Sequence, residues 1–154
     1  MSGDFLQFSY VTNDFDRAID LVRQTSAIGP FKEMRELRFA TGPDRHVVAH
    51  VGLAFKAGLQ FEIIQPLAED TTLYQQVLGD SGFEMVFHHV GRHIPSPDIY
   101  HHTLNAARAR WELPVEVEGM GGFYAYVDAR QELGHFLEYF CFPGDESPAD
   151  APHY

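Results

Sequence analysis

One order of elements is written twice along this chain, and that repetition constrains the fold more than any single motif does. FLQFSYV, Phe5 to Val11, is rich in aromatic and β-branched residues and reads as a strand. Thr12 to Asp14 then supply N-cap candidates for a helix in which Phe15, Ala18, Ile19 and Val22 recur at helical spacing, and Gly29-Pro30 stops it. Three further strands are expected at Glu33 to Phe39, His46 to Phe55 and Leu59 to Gln65, with turns marked by Pro43 and Gly58. After a polar, helix-prone connector (Leu67 to Asp80), MVFHHVGRH, Met85 to His93, opens a second pass. Ser96-Pro97-Asp98 caps a helix whose Tyr100, Leu104, Ala107 and Trp111 share a face, and strands follow at Val115 to Glu118, Phe123 to Val127 and His135 to Phe142. Both passes read βαβββ, which makes the expected class α+β. The expected organisation is one domain over residues 1–142, with module one at 5–66, a connector at 67–84 and module two at 85–142. A flexible tail is expected over 143–154, where ESPADAP offers little that is apolar.

A duplicated module invites comparison of equivalent positions. In each half the first strand and the last carry one polar residue among apolar ones: Gln7 and Glu62 in the first, His89 and Glu138 in the second. Strand alternation places each on the face of apolar neighbours: Phe5 and Ser9 flank Gln7, Ile64 follows Glu62, Phe87 precedes His89, and Phe136 and Phe140 flank Glu138. The same alternation sends the adjacent His88 and His89 to opposite faces, so only one of the two is expected to be a ligand. An ionised carboxylate among Phe and Ile is costly unless it is paired or binds a metal. Two of them, one from each half, ask for a common cation.

Charge narrows the partner. The formal net charge is −11, from 22 acidic and 11 basic residues, and such a surface repels phosphate backbones and anionic lipid. No apolar run approaches the roughly 20 residues that cross a bilayer. Nucleic acid and membrane are therefore not the expected partners. Cys141 is the only cysteine, so the chain has neither an internal disulfide nor a thiolate metal cage, in keeping with a cytoplasmic location. What remains is a small-molecule enzyme or binder, and 13 Phe and 7 Tyr are more than a core of this size needs, which leaves some to line a pocket.

The residues in this order resemble the vicinal oxygen chelate superfamily, the proteins similar to glyoxalase I and methylmalonyl-CoA epimerase. The resemblance covers roughly Phe5 to Phe142. It rests on Gln7…Asn13-Asp14-Phe15, on Gly29-Pro30-Phe31, and on Gly58-Leu59-Gln60-Phe61-Glu62-Ile63-Ile64-Gln65-Pro66. It continues in His88-His89-Val90 and in Tyr126-Val127-Asp128-Ala129-Arg130…Gly134-His135-Phe136-Leu137-Glu138. It implies two βαβββ modules whose curved sheets form a cup-shaped, barrel-like mixed sheet. It implies one metal held by Gln7, Glu62, His89 and Glu138, with His89 rather than His88 as the ligand. Epimerases of the superfamily more often begin the set with His, so Gln7 departs from them; the Gln/Glu/His/Glu set looks like that of eukaryotic glyoxalase I. The resemblance also implies a homodimer.

Two carboxylates, an amide oxygen and an imidazole make an oxygen-rich site for one divalent metal per chain, with Zn, Ni, Co and Mn all tenable. Such a site suits proton abstraction next to a carbonyl, hence a metal-dependent isomerase, epimerase or lyase. By resemblance to glyoxalase I, Glu138 is the expected base, with Glu62 as a ligand and partner acid. The expected substrate is a small carbonyl compound, and because the chain has two lysines and scattered arginines, a hydrophobic or aromatic one is as plausible as a thiol conjugate or CoA ester. His46, His50, Phe87, His93, Phe136 and Phe140 are candidate pocket residues. The alternative is a non-catalytic protein that binds aromatic ligands or antibiotics in the same cup; a ring-cleaving dioxygenase is disfavoured by the presence of Gln7 and Glu62.

Overall fold

A computed structural model describes residues 5–119 and 121–142; the tail expected from 143 onward lies outside them. In chain order the elements are β1 (Phe5–Thr12), α1 (Phe15–Ser26), β2 (Lys32–Gly42), β3 (Arg45–Lys56), β4 (Leu59–Glu69), α2 (Thr72–Gln75), β5 (Met85–His93), α3 (Pro97–Arg108), β6 (Val115–Gly119), β7 (Gly122–Val127), α4 (Arg130–Leu133) and β8 (Phe136–Cys141).

The two long helices, α1 and α3, start where short polar side chains replace missing backbone partners. Asp14 accepts the amide of Arg17 at 3.1 Å to cap α1, and Ser96 accepts that of Ile99 at 3.3 Å to cap α3, with Pro97 as its first residue. Trp111 falls beyond the end of α3, and its indole N–H donates instead to Glu132 on α4. β4 runs four residues past the expected Gln65. Pro66 stands opposite Ala49, next to a register shift with β3 and beyond the last residue of β4 that pairs with β1, Ile64. β2 is an edge strand, and its polar residues Glu36 and Arg38 are exposed.

All eight strands form one mixed sheet in the order β2-β3-β4-β1-β5-β8-β7-β6. β1 and β5 pair antiparallel at its centre, and each is flanked by the last strand of its own half, β4 or β8, in parallel. The two outer strands, β2 and β6, approach one another, so the sheet curls into a nearly closed, barrel-like cup. Phe15, Ala18 and Ile19 of α1 pack outside the cup against Ala54 and Ile63, while Tyr100 and Leu104 of α3 pack against Ala125 and Cys141. The inner cluster holds Val47, Val51, Ile64, Tyr74, Tyr126 and Phe136. Alternation along β4 is thus used on both sides: Ile63 faces a helix, Ile64 the interior.

The central ladder contains an irregularity. Between β1 and β5, Ser9 pairs with His89 but Tyr10 pairs with Phe87, which leaves His88 as an extra residue on β5. A β-bulge of this kind interrupts alternation and re-aims the side chains on either side of it. The sequence expectation that His88 and His89 face opposite ways is corrected here: both rings are buried and their Nδ1 atoms are 2.8 Å apart.

Candidate active site

Four side chains from the four central strands converge inside the cup. Gln7 comes from β1, Glu62 from β4, His89 from β5 and Glu138 from β8. The Nε2 of His89 lies 2.9 Å from Glu138 Oε2, 3.0 Å from Gln7 Oε1 and 3.5 Å from Glu62 Oε1. Glu62, His89 and Glu138 each offer a ligand atom within 4.8 Å of the others, which makes them a candidate metal site.

The two halves build this cluster by the same register. Gln7 pairs with Gln60, and the carboxylate follows two residues on, at Glu62; His89 pairs with Phe136, and the carboxylate follows two residues on, at Glu138. Between them sits Gly91, the register partner of both Gln7 and Glu138. A Cβ at Gly91 would lie 2.9 Å from Gln7 Oε1 and 3.1 Å from the Phe140 ring, so only glycine leaves room for the Gln7 amide as it stands.

Hydrogen bonds aim the oxygens. Gln7 Nε2 donates to Gln60 Oε1 at 2.6 Å and, longer, to Glu62 Oε2 at 3.5 Å, which turns the Gln7 carbonyl oxygen towards His89. Ser9 donates to Glu62 Oε1 at 2.8 Å. Burial pushes the Glu62 carboxyl up to about 7; the nearby His89 and the Ser9 hydroxyl oppose that rise, and the Glu138 charge adds to it. An amide oxygen and two carboxylates thus gather around one imidazole nitrogen, which can offer them a single hydrogen. A divalent cation resolves that imbalance, and the donor set suits one that prefers oxygen and imidazole.

The cluster forms the floor of a cavity of about 260 Å³, lined there by Gln7, Gln60, Glu62 and Glu138. Its walls are apolar, with Leu37 and Phe39 from β2, Leu53 from β3 and Phe140 from β8 among them, and Tyr74, Tyr124 and Tyr126 add three phenols. The Tyr74 and Tyr126 hydroxyls share a hydrogen bond at 2.9 Å, and burial drives both well above the ordinary phenol range. Among the described residues no lysine, arginine or histidine lines this cavity.

Of the pocket residues expected from sequence, Phe140 lines the cavity and the other five do not. Phe87 lies beyond the bulge and packs on Phe8 and Tyr10 on the outer face of β1. Phe136 is buried beneath the site, stacked on His88 at 4.8 Å. His93 is buried against Phe5 at 5.0 Å. His50 points to the helix side, where its Nδ1 accepts the Glu36 amide and its ring meets Phe15. His46 stands near the start of β3, where its carbonyl accepts the Asp70 amide. Gln60, Ser9, Tyr74, Tyr124 and Tyr126 were missed; a second polar residue at alternate spacing on β4 is the one signal that pointed to Gln60.

No family model matches the chain, and no curated protein matches it by sequence. Solved structures match it in shape. Methylmalonyl-CoA epimerase from Mycobacterium tuberculosis superposes with a TM-score of 0.61 at 13% identity, covering 90% of this chain and 86% of that one. A variant of the Streptomyces coelicolor methylmalonyl-CoA epimerase in complex with 2-nitronate-propionyl-CoA gives 0.61 at 14% identity, covering 90% and 96%. A hypothetical protein from Bacillus halodurans C-125 gives 0.62 at 14% identity, covering 90% and 94%. The chain shares the fold of these solved structures, the fold that its sequence resemblance led one to expect.

Proposed function

We propose that this protein is a metal-dependent isomerase or epimerase, glyoxalase-like in its site, that moves a proton next to a carbonyl group. The observation that carries the reading is the convergence of Gln7, Glu62, His89 and Glu138 on one point at the floor of an otherwise apolar cavity. These four residues would hold the cation. When bound there, a divalent ion supplies Lewis acidity that lowers the pKa of the C–H beside the substrate carbonyl.

The remaining work belongs to the chain. Glu138 takes the proton from carbon as general base and returns it, to the neighbouring carbon in an isomerisation or to the opposite face in an epimerisation. Glu62, the second carboxylate of the cluster, is placed to act as the partner acid. Leu37, Phe39, Leu53 and Phe140 exclude water from the reacting carbon and grip an apolar substrate body. Because the cavity walls carry no cationic side chain among the described residues, the substrate is a small carbonyl compound with a hydrophobic or aromatic substituent rather than one anchored by phosphates.

The test is proton exchange in deuterated water, followed by NMR, on three probes: a phenyl-substituted α-hydroxyketone, methylglyoxal with glutathione, and methylmalonyl-CoA. Protein loaded with Zn, Ni, Co or Mn should exchange the α-proton of the aryl compound fastest, and Glu138→Gln should lose at least about a hundredfold in rate. Absence of bound metal after titration, together with tight binding of flat aromatic molecules, would move the reading to a non-catalytic binding protein, which the apolar cavity equally suits.

A further inference from the structure

His88 lines no part of the cavity, yet it touches the candidate ligand His89 directly. Its Nε2 lies 2.9 Å from the Leu73 carbonyl oxygen on α2, and a carbonyl only accepts, so that nitrogen carries a hydrogen. The ring is 1% exposed and packed between Tyr74, Tyr126 and Phe136, with its two nitrogens on Leu73 and His89, and a neutral imidazole whose one hydrogen is on Nε2 has none on Nδ1. Its Nδ1 is therefore a bare acceptor. A contact of 2.8 Å between that atom and the Nδ1 of His89 needs one hydrogen between them, and His89 must supply it. The Nε2 of His89 faces Gln7 Oε1, Glu62 and Glu138, which only accept, so without a metal it too carries a hydrogen, and it is this hydrogen that a bound cation would replace.

We infer that His88 is a positioning residue: it holds the Nδ1 proton of His89 and so fixes the tautomer and ring orientation in which His89 can ligate. The chain of contacts ends on the Leu73 carbonyl, which ties the candidate metal centre to the connector between the two halves. Its place is made by the β-bulge, without which His88 would face outward. The inference rests on the metal-binding reading for its consequence, though not for its geometry. Partners of this kind behind a ligating histidine orient it and raise its basicity.

Two measurements on the full chain test it. In long-range ¹H–¹⁵N spectra of metal-free wild type, His89 should carry hydrogen on Nδ1; a bare Nδ1 would overturn the inference. Zinc affinity, read by competition with a chromophoric chelator, should fall about 10–100-fold in His88→Gln, which keeps a donor towards Leu73 but removes the acceptor for His89. His88→Asn, whose Oδ1 replaces the lost acceptor, should stay within about threefold of wild type. Wild-type zinc affinity in His88→Gln would overturn the inference as well. If wild type binds no zinc, the metal-binding reading fails, while the His89 spectrum still decides the role of His88. The same spectrum decides it should a variant fail to fold, as circular dichroism would show.

Discussion

Gln60 accepts a 2.6 Å hydrogen bond from Gln7 through Oε1, and its own Nε2 is buried without a partner among the described residues. The amide is thus useful at one end and costly at the other. Gln60→Leu removes both, so its effect on the melting temperature should be small, within about 3 °C. The Gln7 amide loses its tether in the same variant, and divalent-cation affinity by calorimetric titration should drop about tenfold. A fall in stability with unchanged affinity would show that Gln60 serves the core and not the cluster.

Gly91 gives a stronger steric prediction. Its missing side chain makes room for Gln7 Oε1 and the Phe140 ring, at 2.9 and 3.1 Å from where a Cβ would stand. Gly91→Ala should push the Gln7 amide aside and weaken cation binding at least about tenfold, with a loss of about 1–3 kcal/mol in stability from overpacking. Chemical denaturation and metal titration of the one variant read the two effects separately.

The raised Glu62 proton affinity sets a pH dependence. Its folded value, about 7, lies above the ordinary carboxyl value of 4.5 because burial disfavours the charged form. Its contribution to the stability of metal-free protein is therefore full below about pH 4.5 and is lost as pH rises through about 7. His88 acts in the opposite sense: burial lowers it to about 3, so its contribution is full above about pH 6.5 and is lost as pH falls towards 3. Comparing wild type with Glu62→Gln cancels the His88 effect. The variant should melt higher than wild type at pH 8, and the difference should shrink towards zero at pH 5. A difference that grows on acidification would contradict the assigned shift.

Tyr74 and Tyr126 satisfy one another in the interior through a single hydroxyl pair. Tyr74→Phe leaves the Tyr126 hydroxyl without that partner and should cost about 1–3 kcal/mol, a melting decrease of about 2–10 °C. Replacing both by Phe should recover part of the loss, since two apolar rings leave nothing unpaired.

Much of the cluster was legible because polar residues stood out on otherwise apolar strands. Gln7, Glu62, His89 and Glu138 each interrupt an alternating pattern, and the pattern occurs twice. Gln60 is harder to see, since Gln65 on the same strand is also polar and is spent on the backbone before α1, accepting the Phe15 amide and donating to the Asn13 carbonyl. Tyr74 sits in a connector whose α2 is only Thr72–Gln75, too short for periodicity to reveal which way it faces. The places of Phe87 and His88 depend on a bulge opposite Ser9 and Tyr10, on a strand more than 70 residues away. No local pattern on β5 announces an extra residue there, so strict alternation carried Phe87 to the wrong face. His50 and His93 illustrate the remaining difficulty: a histidine inside a strand is as readily spent on a backbone amide or an aromatic neighbour as on a ligand.

The eight-stranded ladder ends at β2 and β6, and what crosses between the two halves on that side includes the Tyr124 hydroxyl, which donates to the Ala40 carbonyl. In a fully laddered barrel the bore is dictated by strand number and shear. Here one seam is stitched by side chains instead, and Tyr124 is at once a stitch and part of the cavity wall. The width of the chamber is thereby written in residues that substitution can change one at a time, leaving the backbone register that holds the cluster of Gln7, Glu62, His89 and Glu138 untouched.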